Sequence, residues 1–202
     1  MDALYRRAVY QSRAYHLADL PPDEGYEVAF VGRSNAGKSS AINALTSIGK
    51  LAHISKTPGR TRQITFFGLD EQRRIADLPG YGFARIPRSL KEHWDQLLPS
   101  YLETRRSLRG LVLVMDIRHP LKPHDVRILG WCKRASMSVH ILLTKADKLS
   151  RGAATATLER VRTSVAEPSR EISVQRFSAT RRDGSDELQI ALNRWLNVTP
   201  IV

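Results

Sequence analysis

Lys38 and Ser39 close the run Gly32-Arg33-Ser34-Asn35-Ala36-Gly37-Lys38-Ser39, which satisfies the spacing G-x-x-x-x-G-K-[ST] and follows the apolar stretch Val28-Ala29-Phe30-Val31. A buried strand feeding a glycine turn that opens a helix near Lys38 lets successive backbone N–H groups converge on phosphate oxygens. The helix N-terminus adds its positive dipole end. In that setting the Lys38 ammonium reaches the β- and γ-phosphates of a nucleotide, and the Ser39 hydroxyl is a ligand for Mg2+.

So short a pattern also occurs in ordinary glycine turns, so other stretches must decide. Asp77-Leu78-Pro79-Gly80 ends a predicted strand and supplies a carboxylate that can orient the waters around Mg2+, with a glycine N–H that can approach a γ-phosphate. Lys50 to Arg62 has neither helical nor strand periodicity and holds Lys56-Thr57-Pro58-Gly59-Arg60-Thr61. A polar loop of this kind can be ordered by a ligand, and Thr61 is the candidate to complete the Mg2+ shell, with Thr57 as its rival. Val139-His140-Ile141-Leu142-Leu143 reads as a buried strand running into Thr144-Lys145-Ala146-Asp147. An aspartate there can accept hydrogen bonds from the ring N–H and exocyclic amine of guanine while the Lys145 stem packs along the base. Adenine has no such donor pair and leaves the carboxylate unpaired. Ser178-Ala179-Thr180 stands where a loop could offer the Ala179 N–H to guanine O6.

The elements that must position these residues alternate along the chain. Ile42 and Leu45 give the helix after the phosphate loop one apolar face, and Gly49 is placed to end it. Gln63 to Leu69 and Arg73 to Ala76 read as strands joined by the turn Asp70-Glu71-Gln72. Ser89-Leu90-Lys91-Glu92 reads as a capping box, followed by a stripe of Leu90, Trp94, Leu97 and Leu98 that Pro99 should kink or interrupt. Leu111 to Met115, ending in Asp116, has the continuous apolar character of a parallel strand covered on both faces. Val126, Leu129 and Trp131 are expected on the inner face of the next helix. Leu158, Val161 and Val165 mark another helix, Ile172 to Phe177 a last strand, and Leu188, Leu192, Trp195 and Leu196 a terminal helix. Residues 1–25 are expected as a helical or irregular arm on or beside one domain spanning 26–197, with 198–202 as a tail.

Composition sets the bounds. A chain of 202 residues, 42% hydrophobic and 26% charged, suits one globular domain with an ordinary core. No apolar run approaches the roughly 20 residues of a membrane span, and neither signal peptide nor disulfide pair is evident, with Cys132 alone, so a cytoplasmic monomer without membrane contact is expected. The net charge of +12, carried largely by arginines scattered along the chain, favours a polyanionic partner such as folded nucleic acid. The six histidines form no metal-binding spacing. An ATP-dependent phosphotransferase and a non-hydrolysing RNA-binding scaffold are the competing functional readings.

The wording Gly-Arg-Ser-Asn-Ala-Gly-Lys-Ser at 32–39, Lys-Thr-Pro-Gly-Arg-Thr at 56–61, Asp-Leu-Pro-Gly-Tyr-Gly at 77–82 and Thr-Lys-Ala-Asp-Lys at 144–148 closely resembles the bacterial EngB GTP-binding proteins, within the translation-factor-related GTPases. The resemblance covers nearly the whole chain, from Tyr26 to Trp195. It implies an α/β, Ras-like P-loop GTPase domain: a doubly wound, mostly parallel sheet of about six strands with one antiparallel strand. It also implies slow hydrolysis of GTP to GDP with Mg2+, a part in assembling the large ribosomal subunit through its precursor or ribosomal RNA, and a link to cell division and septation. The implied catalytic residues are Lys38, Thr61 and Gly80, and the implied Mg2+ ligands are Ser39 and Thr61, with Asp77 acting through water. Nucleotide contacts are expected from Gly32 through Ser39 and Ser40, from Gly59, Arg60, Thr61, Arg62 and Gln63, and from Asp77, Leu78, Pro79 and Gly80. Thr144, Lys145, Ala146 and Asp147 with Ser178, Ala179 and Thr180 complete the base site. Thr144 stands where an Asn is usual, which should weaken one bridge between base loop and phosphate loop, and Tyr81 stands where many GTPases carry the water-orienting glutamine. Related GTPases that lack this glutamine use an Asn at the place of Asn35 to hold K+ against the phosphates.

Overall fold

The computed structural model describes residues 3–52, 63–82, 87–167 and 171–199. Among these residues seven strands form one sheet: β1 (Val9–Ala14), β2 (Tyr26–Gly32), β3 (Ile64–Gly68), β4 (Arg73–Asp77), β5 (Leu108–Asp116), β6 (Val139–Thr144) and β7 (Ile172–Arg176), in the order β1-β3-β4-β2-β5-β6-β7. β3 pairs antiparallel with both β1 and β4, and all other pairings are parallel. β3 is therefore the single strand running against the rest, as the early hairpin predicts. The seventh strand is β1, supplied by the arm expected to be helical or irregular. Its register on β3 shifts between Tyr10 and Ser12, and its residues are mostly exposed, so it lacks the apolar alternation that marks a strand in sequence.

Among the described residues five α-helices cover the two faces: α1 (Lys38–Thr46), α2 (Arg88–Thr104), α3 (Pro123–Arg134), α4 (Arg151–Val165) and α5 (Ser185–Trp195). Alternation along the strands sorts the core. Val28, Phe30, Val112 and Val114 pack with Ile42 and Leu45 of α1 and Leu188 and Leu192 of α5. Ala29, Val31, Leu111 and Leu113 pack with Leu97 and Tyr101 of α2, Ile128 and Cys132 of α3, and Leu158 and Val161 of α4. Parallel strands covered on both faces need such continuous apolar runs.

Local details depart from the sequence reading in four places. α1 ends at Thr46 with Ser47 in the left-handed conformation, and Gly49 lies beyond it. The Asn43 side chain folds this return segment by donating to the carbonyls of Gly49 and Ala52 and accepting from the Ala52 N–H. α2 begins at Arg88 after Pro87, so Ser89 lies inside the first turn, and Glu92 accepts from Arg88 Nε at 2.7 Å. α2 runs through Pro99 as one helix; Leu97, Leu98, Tyr101 and Leu102, buried on both sides of the proline, offset the roughly 3 kcal/mol that proline costs a helix interior. On α3 Val126 is 54% exposed, and Ile128 and Cys132 take the inner positions, because Asp125 is the residue turned inward one step earlier.

The arm's return segment is fixed by Asp23, whose carboxylate accepts the N–H groups of Ser107 at 2.7 Å and Arg106 at 3.0 Å. Partial burial acts to raise the Asp23 carboxyl, but these hydrogen bonds and the Arg105 charge bring it down to about 2. A depressed carboxyl stabilises the fold above its unfolded value of 3.8, and the contribution fades as pH falls through about 2. After discounting for solvent screening it amounts to about 1 kcal/mol. Asp23→Asn should therefore be less stable than the parent by about that amount at neutral pH, with the gap closing between pH ~4 and ~2 in urea titrations.

Candidate nucleotide-binding site

The singled-out motifs that fall among the described residues lie at one edge of the sheet, beyond the carboxyl ends of β2, β4, β6 and β7. After β2 the chain passes through β3 to β4 on one side of it and then crosses to β5 on its other side, a reversal of strand order that opens a crevice at this edge. The phosphate loop sits there. Asn35 and Gly37 have positive φ, 62° and 98°, which Asn tolerates and Gly adopts freely. α1 opens at Lys38 with no capping side chain and no acidic residue in its first turn, so its leading N–H groups face the loop without an internal anion. The fit of the loop is close: a Cβ on Gly32 would stand 2.7 Å from the Val114 carbonyl oxygen.

Lys38 Nζ forms an ion pair with Asp77 at the end of β4, so the proposed phosphate-binding cation and the carboxylate of the D-x-x-G segment meet at one point. That segment is laced to the phosphate loop. The Leu78 N–H donates to Phe30 (2.9 Å), Tyr81 N–H to Gly32 (3.3 Å), and Ser34 N–H to Tyr81 (2.9 Å). Gly80 thereby lies beside Ser34, with space for a Cβ only 3.4 Å from the Ser34 nitrogen. Tyr81 directs its hydroxyl to Asp125 on α3, a carboxylate that also accepts the Lys122 N–H at 2.8 Å. Burial, and then the facing Asp125 charge, push the Tyr81 phenol well above its ordinary range, so the group is a held hydrogen-bond donor.

The base loop closes against the same phosphate loop. Thr144 Oγ1 lies within hydrogen-bond reach of the Ala36 carbonyl and of Met115 O at 3.0 Å. The bridge expected to weaken with Thr in place of Asn is thus made by the threonine hydroxyl. Lys145, itself at φ 58°, donates from Nζ to Asn35 O (2.6 Å) and to Asp116 (2.9 Å). Ala146 N–H donates to Phe177 O, and Ser178 Oγ donates to Asp147 Oδ1 at 2.7 Å, so the third loop is fastened to the base loop. The Ser178 hydroxyl is the main reason the Asp147 carboxyl is held below its ordinary range. Ser178 also exchanges two backbone hydrogen bonds with Asp183, framing Ala179 and Thr180.

Ser39 and Ser40 lie in the first turn of α1, and Gln63 lies just before β3. Thr57, Gly59, Arg60, Thr61 and Arg62 fall outside the described residues. The residue that the motifs did not single out is Asp116. It accepts from Lys145 and, through both oxygens, from the Arg118 guanidinium at 2.9 and 2.7 Å. Although partial burial works against it, these bonds hold its carboxyl far below the usual range. Its signal was present as an acidic residue ending the apolar run Leu111 to Met115.

Residues 27–145 match the family described as 50S ribosome-binding GTPase. A probable GTP-binding protein EngB from Nitrosococcus oceani is 54% identical over 198 residues, covering 98% of this chain and 99% of that protein. Among solved structures, a probable GTP-binding protein EngB superposes with a TM-score of 0.67 at 22% identity, covering 86% of this chain and all of the other. Era in complex with MgGDPNP and nucleotides 1506–1542 of 16S ribosomal RNA superposes with a TM-score of 0.65 at 22% identity, over 89% of this chain and 59% of Era. The two structures share the fold, and the identity across the full length of the Nitrosococcus relative goes further: the chain belongs to the EngB family of GTP-binding proteins and is a P-loop GTPase.

Proposed function

We propose that the chain is a cytoplasmic GTP-driven switch that binds the large ribosomal subunit precursor during its assembly, and through that role supports normal cell division and septation. The observation that carries the nucleotide part is the double tie of Thr144 to Ala36 and Lys145 to Asn35, which sets a guanine-reading loop against a phosphate loop. The ribosomal part is supported by the family description, by the +12 charge and by the RNA-bound Era of like fold.

The residues present suit guanosine triphosphate with Mg2+. Ser39 and Asp77 offer hard oxygen donors, and Thr61 completes the proposed set. Held by these residues, Mg2+ would supply positive charge to neutralise the phosphate oxygens. The open N–H groups of the phosphate loop and α1 orient the phosphates for in-line attack by water. Lys38 exchanges part of its pairing with Asp77 for the γ-phosphate and stabilises the charge that develops there. Gly80 contributes a backbone donor without a side chain in the way. Arg33, Ser34, Asn35, Ala36 and Gly37 line the phosphates, and Asp147 with Ala179 reads the base.

Tyr81 has no amide with which to orient the attacking water, and its hydroxyl is committed to Asp125. The isolated protein is therefore expected to hydrolyse GTP slowly, at or below about 10⁻² s⁻¹, the range of unassisted switch GTPases. On the proposal that Asn35 holds a monovalent ion against the phosphates, K+ should accelerate turnover relative to Na+ at equal ionic strength. Single-turnover phosphate release in the two salts checks both points, and equal rates remove the K+ site.

Sedimentation of the chain with large ribosomal subunit particles tests the switch. Retention with GTP or GDPNP and release with GDP supports it; equal retention in every nucleotide state identifies a scaffold instead. Displacement of bound GDP by ATP identifies the phosphotransferase.

A further inference from the structure

Between α2 and α3, lined on one side by the Leu78–Gly82 strip, lies a cavity of about 140 Å³ whose α2 and α3 walls the nucleotide chemistry does not use. Its floor is apolar, with Leu98 and Ile128 buried in the core. Its walls are aromatic: the half-buried Trp94, Trp131 and Tyr81. Its mouth carries the exposed Lys91 and Arg127 beside His124, with Asp95 as the one carboxylate of the lining, so two full positive charges face one negative. The Arg127 guanidinium stands 4.7 Å from the Trp131 ring centroid and is pinned there by Asp95 at 3.1 Å. Lys91 has no carboxylate partner among the described residues.

We propose that this cavity receives one unpaired nucleobase of ribosomal RNA, stacked among the tryptophans, with Lys91 and Arg127 meeting the adjoining phosphates. Three observations converge on that occupant. Aromatic rings and an arginine plane at a positively charged opening are the means by which proteins hold splayed single-stranded bases. The volume suits one planar ring system; drug-sized ligands occupy roughly 300–1,000 Å³, and an amphipathic helix needs a groove long enough for successive i, i+3, i+4 and i+7 anchors. The charge of the chain as a whole is also complementary, since a net charge of +12 attracts a polyanion.

The position gives the cavity a consequence. Tyr81 lines it, bonds to Asp125 of α3 through its hydroxyl, and pairs with the phosphate loop through its backbone. A base seated against Tyr81 therefore touches the same five-residue strip that adjoins Asp77, and RNA occupancy and nucleotide state are coupled through it. This inference rests on the ribosomal RNA reading above.

The test uses the full chain loaded with GDPNP and a short, unstructured, labelled oligoribonucleotide, read by anisotropy and by tryptophan quenching. Wild type is expected to bind with quenching, and the same strand made abasic to bind about 10-fold more weakly. Trp131→Leu and Trp94→Leu should each lose about 10-fold in affinity with unstimulated GTP hydrolysis and melting temperature retained, and Trp131→Phe should restore most of the loss. Lys91→Ala, an exposed change that leaves the core intact, should lower the salt-dependence slope by about one. Equal binding of normal and abasic strands, or wild-type affinity in both leucine variants, overturns the stacking site while leaving RNA binding in place. Variants that keep RNA affinity but lose binding to proteins extracted from the large subunit overturn it in favour of a protein occupant. No RNA binding by the wild type in any nucleotide state overturns the RNA reading itself.

Discussion

Asp147→Ala is expected to weaken GTP and GDP binding by about 10²- to 10⁴-fold while leaving the folded chain intact. The magnitude comes from two hydrogen bonds to a charged acceptor, each worth about 1.5–3 kcal/mol. Asp147 is held for this purpose from two sides: Ser178 Oγ donates to one oxygen, and Lys148 Nζ stands 3.5 Å from the other. The Ser178 bond favours the ionised carboxylate, so the acceptor is charged throughout the neutral range. Titration with a fluorescent GDP, alongside thermal melts with and without GDP, separates the outcomes. The wild type should gain stability from GDP and the variant should not, since a ligand stabilises only the state it binds. Wild-type affinity in Asp147→Ala would move the base site elsewhere on the molecule. The Ser178→Ala variant serves as the graded control. It removes one positioning bond and keeps the carboxylate, so its loss should be smaller, about 10-fold.

The contrast between what could and could not be read in the sequence follows from how far apart the partners lie. The phosphate loop is eight contiguous residues whose types dictate their own geometry, and its start at Gly32 and helix onset at Lys38 stand where the spacing put them. The hairpin at Asp70 was equally legible, because that side chain bonds the N–H groups of Gln72 and Arg73 two and three residues on. Asp116 as the orienting partner of Lys145 was not, since the two are 29 residues apart and meet only when β5 and β6 pair Asp116 with Thr144. Tyr81 was readable as a missing glutamine but not as a ligand of Asp125, 44 residues away. β1 escaped because an edge strand with exposed Val9 and Tyr10 carries no inward alternation. Tertiary pairing, which no local period encodes, creates that strand.

Glu27→Ala should be the most destabilising single change away from the site, by about 3–5 kcal/mol. Glu27 is fully buried at the start of β2, where Arg105 Nη2 meets one carboxylate oxygen at 2.8 Å, Arg74 Nε stands 3.5 Å away and Tyr101 donates its hydroxyl. Those two arginines also hold the end of the arm, Arg105 through Pro21 O at 2.7 Å and Arg74 through Glu24 O. Removing the carboxylate leaves Arg74 and Arg105 buried beside each other with only Asp23, 3.6 Å from Arg105 Nε, as a remaining counter-charge, and folded domains commonly have only about 5–15 kcal/mol in reserve. Glu27→Gln keeps an acceptor for Tyr101 and the volume of the side chain, so it should cost less. Urea titration of both variants measures the loss as a lower midpoint at unchanged slope. Because one carboxylate serves both arginines, adding Arg105→Ala to Glu27→Ala should cost less than the sum of the single changes. Five residues of strand, about 17 Å, separate Glu27 from Gly32, so the folded fraction of Glu27→Ala should bind GDP with wild-type affinity. A loss of affinity at saturating stability would show that the two ends of β2 are coupled, with the arginine cluster at one end setting the phosphate loop at the other.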